Sequence, residues 1–156
     1  MMKHSNFEEV KTVAKPWGQE KWIQQGDILG NHNYVLKEIV LKQGFKTSLQ
    51  VHQYKSETNY ILEGEGIIVY SDAFFDCEKY ISGKYTTQEI DNFIVDLKFQ
   101  KYGPGSVMTI EPGTIHRMIA DTDLRFVEAS TCHLDDVIRL QDDANRSHGK
   151  IESEHK

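Results

Sequence analysis

Gly44-Phe45-Lys46-Thr47-Ser48-Leu49-Gln50-Val51-His52-Gln53-Tyr54-Lys55-Ser56-Glu57-Thr58-Asn59-Tyr60-Ile61-Leu62-Glu63-Gly64 is the segment whose reading decides the fold. Read as a β-strand, Gln50 and His52 are two apart, so their side chains leave the same face. Glu57 lies past a short turn on the next extended run, where its carboxylate can return towards that face. Three ligand-type side chains then converge from neighbouring strands. Lys46 and Ser48 share the parity of Gln50 and His52, and such a polar face must meet solvent or line a polar cavity.

Outward from this segment the chain reads as short strands punctuated by Gly and Pro. Tyr60 to Leu62 and Gly66 to Tyr70 flank Glu63-Gly64-Glu65-Gly66, which is expected to be a hairpin turn. Upstream, Tyr34 to Lys42 is apolar on both parities, as in a strand covered on both sides. Lys37 shares parity with Val35 and Ile39, so an inward side chain there is either a snorkelling surface residue or a site residue. Lys15-Pro16-Trp17-Gly18 reads as a turn into an edge strand, with Trp17 and Trp22 covering one end of a core.

Downstream, Tyr80 to Tyr85 suggests a small hairpin at Ser82-Gly83. Ile90 to Phe99 has no clean period, and fits either a strand pair or an excursion shielding a barrel mouth. Glu111-Pro112-Gly113-Thr114-Ile115-His116 then brings a second His into a strand, and Leu124 to Ala129 is one more strand with Glu128 on the parity of Leu124 and Phe126. Leu134, Val137 and Ile138 stand at helical spacing with Asp135 and Asp136 in the first turn, predicting a short C-terminal helix. Residues 1–13 are expected to be a flexible arm, 14–146 a single domain and 147–156 a disordered tail. The architecture expected is an all-β sandwich or jelly roll.

At 156 residues the chain suits one domain with a real core. No apolar run approaches a membrane span, and no apolar h-region of a secretory signal opens the chain. With a net charge of −6 and no basic block, duplex nucleic acid and anionic membranes are not expected partners. Cys77 and Cys132 form no CxxC and are expected to be reduced thiols, which with the missing signal predicts a cytoplasmic protein.

His116 supplies the fourth group of a candidate metal site. Gln50, His52, Glu57 and His116 offer an amide carbonyl, two imidazoles and a carboxylate, a set for Zn²⁺ or alternatively Mn²⁺, Fe²⁺ or Ni²⁺. A lone strand His is more often simply hydrogen-bonded; the spacing and the Gly and Pro punctuation favour ligation here.

Gly44-x5-Gln50-x-His52-x4-Glu57-x6-Gly64 resembles the first cupin motif, with Gln50 where the first of its two His stands. Gly105-x5-Glu111-x-Gly113-x2-His116-x3-Ala120 resembles the second, departing at Glu111 and Ala120, neither of them a ligand. Among cupins, Lys15-Pro16-Trp17-Gly18, Ser48 to His52, Pro112 to Arg117, Glu128 and Asp135-Asp136-Val137-Ile138-Arg139 resemble the short cupin domain of type II mannose-6-phosphate isomerases. The resemblance runs over about residues 15–146, with about 71–102 uncovered; where that family ends in Asp-x-Tyr-Gly-Arg, this chain has Asp143-Ala144-Asn145-Arg146. It implies a jelly-roll β-barrel, a homodimer, and a divalent ion serving interconversion of an aldose and a ketose phosphate, of the mannose-6-phosphate/fructose-6-phosphate type.

That chemistry moves a proton between C1 and C2, and needs an electrophile and a base. Glu128 and Lys37 are the candidate catalytic groups, and Lys46, Arg117 and Arg139 the candidate partners of the substrate phosphate. A sugar epimerase, a metal-dependent dioxygenase and a non-catalytic sugar-binding cupin are the competing readings.

Overall fold

In the computed structural model, which describes residues 2–27, 32–142, 144, 146 and 148–151, two six-stranded antiparallel sheets face each other. In chain order the strands are β1 (Lys11–Lys15), β2 (Gly18–Gln24), β3 (Val35–Leu41), β4 (Leu49–Val51), β5 (Glu57–Glu63), β6 (Gly66–Tyr70), β7 (Lys98–Tyr102), β8 (Val107–Ile110), β9 (His116–Ala120), β10 (Leu124–Ser130), β11 (Ile138–Gln141) and β12 (Gly149–Lys150). One sheet has the order β1-β2-β3-β10-β5-β8, the other β12-β11-β4-β9-β6-β7. From β3 to β6 and from β7 to β11, every connection changes sheet, as a jelly roll requires.

The interior of the first sheet is layered by register. Leu41 pairs with Leu124; then Ile39 with Phe126, which also faces Ile61; then Lys37 with Glu128, which also faces Asn59. Each step of two residues keeps the inward face, so the same strands pass from an apolar end to a polar one. Lys37 is only 4% exposed, as its parity predicts. The apolar end, with Trp17, Ile68 and Met118, forms the core between the sheets and leaves the polar end for the site.

The segment between β6 and β7 holds α1 (Cys77–Ile81) and α2 (Thr87–Val95), in place of the expected hairpin and strand pair. Asp76 caps α1, and Thr86 with Glu89 forms a capping box on α2. These helices do not shield the barrel mouth. Phe75, Tyr80, Tyr85, Phe93, Ile94 and Leu97 cover Leu49, Val51, Ile138 and Leu140, the outward side chains of β4 and β11. Phe75 is fully buried, stacked on Tyr85 at 4.9 Å and edge-on to Phe93 at 5.2 Å. Phe75→Ala is expected to cost about 3–5 kcal/mol in unfolding free energy, measured by urea denaturation.

Four further expectations are corrected. Residues 134–140 form no helix: Ile138 and Leu140 face the helical cover while Arg139 faces the cavity, so alternation wins over a helical spacing carried by three residues. The Glu63–Gly66 turn is a corner between sheets, not a hairpin. Gly64 has φ +91°, and a Cβ there would lie 2.2 Å from the Asp123 carbonyl oxygen, so the corner packs against the β9–β10 connection in a way only glycine permits. The expected arm contains a 3-10 turn at Phe7–Glu9 and the first three residues of β1, held by pairing with β2. Within the expected tail, β12 pairs with β11 and Ile151 is buried; residues 147 and 152–156 lie outside the described residues. Cys77 and Cys132 are both thiols. Among the described residues, no helix is long and apolar enough to cross a membrane.

Candidate metal centre

His52, Glu57 and His116 meet at the polar end, all nearly inaccessible to solvent. His52 follows β4, Glu57 opens β5 and His116 opens β9. The turn before His116 docks directly on the first half of the site, because the Gly113 amide donates to the His52 carbonyl at 2.8 Å. Glu57 Oε1 lies 3.3 Å from His116 Nε2 and 4.0 Å from His52 Nε2.

The ring tautomers follow from their partners. His52 Nδ1 lies 2.6 Å from the Asp136 carbonyl oxygen and His116 Nδ1 lies 3.0 Å from that of Thr114. A carbonyl only accepts, so each Nδ1 carries a proton and each ring turns its Nε2 towards Glu57. His52 Nε2 is buried with no hydrogen-bond partner among the described residues. Burial, followed by the Lys55 cation, pushes the His52 pKa down to about 3, so the ring stays neutral at physiological pH. Burial favours protonation of Glu57, but the Lys55 cation outweighs it and holds its carboxyl well below the usual range.

Two imidazole nitrogens and a carboxylate oxygen lie within 4.8 Å of one another in a dry site, a cluster of donor atoms that a cation could bridge. The donor set therefore fits a divalent ion, and the borderline-soft imidazoles favour a transition metal or zinc over calcium or magnesium. Gln50 stands beside this triad with its amide nitrogen 3.5 Å from His116 Nε2, while its amide oxygen accepts from Ser48 Oγ at 2.9 Å. A half-turn of the amide would exchange the two atoms and offer oxygen to an ion.

A chain of buried charges leads away from the triad. Lys55 Nζ donates to Glu57 Oε2 at 2.9 Å and lies 3.5 Å from Glu128 Oε2. Lys37 Nζ lies 3.9 Å from that same Glu128 oxygen and 3.0 Å from Glu20 Oε1, and Lys15 Nζ lies 3.9 Å from Glu20 Oε2. Trp22 Nε1 also donates to Glu20. Burial, then the Glu57 charge, pushes Glu128 up to about 8 against the pull of Lys55 and Lys37. Sequence reasoning found Lys37 and Glu128 but missed Lys55 and Glu20. The available signal was that a charge on an inward parity needs an opposite charge beside it.

Glu20 makes the network measurable. Burial raises its pKa, but Lys37 and Lys15 outweigh this and hold it at about 2, against an ordinary 4.5. A depressed carboxyl stabilises the fold above its unfolded pKa, and that contribution is lost as pH falls from 4.5 towards 2. Between pH 7 and pH 3 the loss from this group is about 2 kcal/mol. Urea titrations at the two pH values should therefore show Glu20→Gln losing less stability on acidification than the wild type, by about that amount.

No protein-family model matches the chain. It is 28% identical over 123 residues to a mannose-1-phosphate guanylyltransferase of Salmonella muenchen, covering 79% of this chain but only 24% of that relative. An RmlC-like cupin from Shewanella frigidimarina superposes with a TM-score of 0.58 at 12% identity, covering 87% of this chain and 96% of the other. The oxalate decarboxylase of Lactobacillus farciminis superposes with a TM-score of 0.61 at 13% identity, covering 90% and 38%. The chain has the cupin fold.

The cupin cavity sorts the remaining candidates. Arg139 is buried in its wall, opposite Gln50 across the β4–β11 pair. Arg117 lies outside it: His116 and Met118 face inward on β9, so Arg117 points the other way, donating to the carbonyls of Thr47 at 2.7 Å and Gln141 at 3.4 Å. Lys46 also lies outside, beside a second depression with Trp17 and Phe45. β4 begins only at Leu49, so the parity that placed Lys46 with Gln50 does not extend that far. Two unpredicted residues join the wall. Arg146 reaches it while bonded to Asp142 at 3.0 and 3.2 Å, and Asn59 presents a buried Oδ1 with no hydrogen-bond partner among the described residues.

Proposed function

We propose that this cupin is a metal-dependent aldose–ketose isomerase acting on a sugar phosphate of the mannose-6-phosphate/fructose-6-phosphate type. The observation that carries the reading is the buried convergence of two imidazole nitrogens and one carboxylate oxygen, with a second carboxyl group, Glu128, one lysine away. His52, Glu57 and His116 would hold the ion, with Gln50 beside them. A divalent ion at this place supplies a Lewis acid for oxygen atoms of the substrate.

The chain's own groups then have separable tasks. Glu128 carries the proton between C1 and C2, held by Lys37 and Lys55. Arg139 receives the phosphate, whose oxygens match the guanidinium fork. The unpartnered Asn59 oxygen suits a hydroxyl-rich ligand, because a buried acceptor gains most from an incoming O–H. The relative named for mannose 1-phosphate supports a hexose phosphate.

Purified protein loaded in turn with Zn²⁺, Mn²⁺, Fe²⁺ and Ni²⁺ should be assayed against a panel of hexose and pentose phosphates. Ion-dependent aldose–ketose interconversion that chelator abolishes is the expected result. Oxygen uptake, or binding without turnover on every sugar, would replace this reading with a dioxygenase or a sugar-binding cupin.

A further inference from the structure

The two halves of the first motif lie in different sheets. His52 ends the β4 side, Glu57 opens β5, and residues 53–56 cross between them. Such a crossing cannot pair with a strand, so its amides need another partner. A single carboxylate supplies it. Asp136 Oδ1 accepts from the Gln53 amide at 3.1 Å, and Asp136 Oδ2 accepts from those of Tyr54 at 2.7 Å and Lys55 at 2.9 Å. Three successive N–H groups aimed at one anion form a nest, in which the charged acceptor strengthens each bond.

The same residue also holds the first imidazole, since the Asp136 carbonyl oxygen takes the His52 Nδ1 proton at 2.6 Å. Its side chain thus fixes the crossing and its main chain fixes the ring. Lys55, at the end of the nest, reaches from that fixed backbone to Glu57 Oε2, leaving Oε1 towards the imidazoles. One residue of the β10–β11 connection therefore sets the orientation of one ligand directly and of another through Lys55.

We infer that Asp136 is the positioning residue of the metal centre, holding His52 and Glu57 at ligating separation before any ion arrives. The inference rests on the proposed metal reading and adds to it a residue that touches neither ion nor substrate. Outer partners of this kind carry roughly 10- to 100-fold in metal affinity.

The test is Zn²⁺ affinity of the ion-free full chain, measured by competition with a chromophoric chelator, for wild type, Asp136→Ala, Asp136→Asn and the control Phe93→Ala. Asp136→Ala is expected to bind Zn²⁺ about 10- to 100-fold more weakly. Asp136→Asn should fall between it and the wild type. Phe93→Ala, which loosens the helical cover, should lower the melting temperature with unchanged Zn²⁺ affinity. Asp136→Ala affinity within twofold of wild type overturns the inference; if that variant does not fold, Asp136→Asn is judged by the same criterion. Wild-type protein that binds no Zn²⁺ would sink the metal reading instead. Amide hydrogen exchange on ion-free wild type decides the tether independently of any variant. Gln53, Tyr54 and Lys55 should exchange slowly although the Tyr54 side chain is exposed, and rapid exchange at all three would overturn the inference.

Discussion

Replacing His52 with alanine is expected to weaken Zn²⁺ binding by at least about 100-fold while leaving the ion-free protein folded. Zinc sites of four ligands bind with about 10–16 kcal/mol, so one ligand is worth roughly 3 kcal/mol, or about 100-fold. Among the described residues the ring makes one hydrogen bond, to the Asp136 carbonyl, and leaves Nε2 buried without a hydrogen-bond partner. Alanine gives up that bond and some packing, but also removes the unsatisfied atom, so the cost to the apo fold is smaller than burial alone suggests. His116→Ala should lose a similar factor, because its Nε2 is the nearer to Glu57. Thermal melts with and without Zn²⁺ give the cleanest contrast. Saturating ion raises the wild-type melting temperature by mass action, and the rise should shrink in either His variant by the equivalent of about 2.7 kcal/mol of binding. A Zn²⁺-dependent rise left undiminished by His52→Ala would remove the ion from this site.

The convergence of the candidate site was legible because short-range rules place each of its residues. Gln50 and His52 are separated by one strand period, and His116 follows a Pro-Gly turn whose amide returns to His52. Lys37 and Glu128 were legible for the same reason, since parity within a strand fixes the face. Parity misled where the strand was shorter than assumed, as at Lys46, and where a residue next to a ligand belongs to the other face, as at Arg117. Lys55 lies in neither strand, and its inward reach follows from a nest closed by Asp136, eighty-one positions away. No local pattern contains that contact. The same carboxylate explains the failed helix at 134–140: the acidic residues read as a first helical turn are spent, in part, on the crossing at 53–55. In the 77–95 region the capping box at Thr86 and Glu89 was present in the sequence, but the helices bury one face only through contact with β4 and β11, and that partner lies outside any window.

Replacing Glu128 with glutamine is expected to lower kcat for sugar-phosphate isomerisation by about 10²- to 10⁴-fold with little change in Zn²⁺ affinity, because the amide keeps the shape and loses the transferable proton. The substitution is tolerable for a specific reason. Lys55 keeps Glu57 at 2.9 Å and Lys37 keeps Glu20 at 3.0 Å, so neither buried ammonium is left without a carboxylate. An uncompensated buried charge would cost several kcal/mol and unfold many variants; here each lysine has a second partner in place. Glu57→Gln removes the carboxylate that faces the imidazoles, and should lose Zn²⁺ and turnover together. The pair of variants therefore separates holding the ion from moving the proton. Equal loss of ion and turnover in both would reduce Glu128 to a counter-charge for Lys37 and Lys55. Full turnover in Glu128→Gln would leave the proton to another group of the cavity, and the register of β10 against β3 and β5 names Lys37 and Asn59 as its immediate neighbours. Of these only Lys37 can release a proton, so Lys37→Met in the Glu128→Gln background would then decide the assignment.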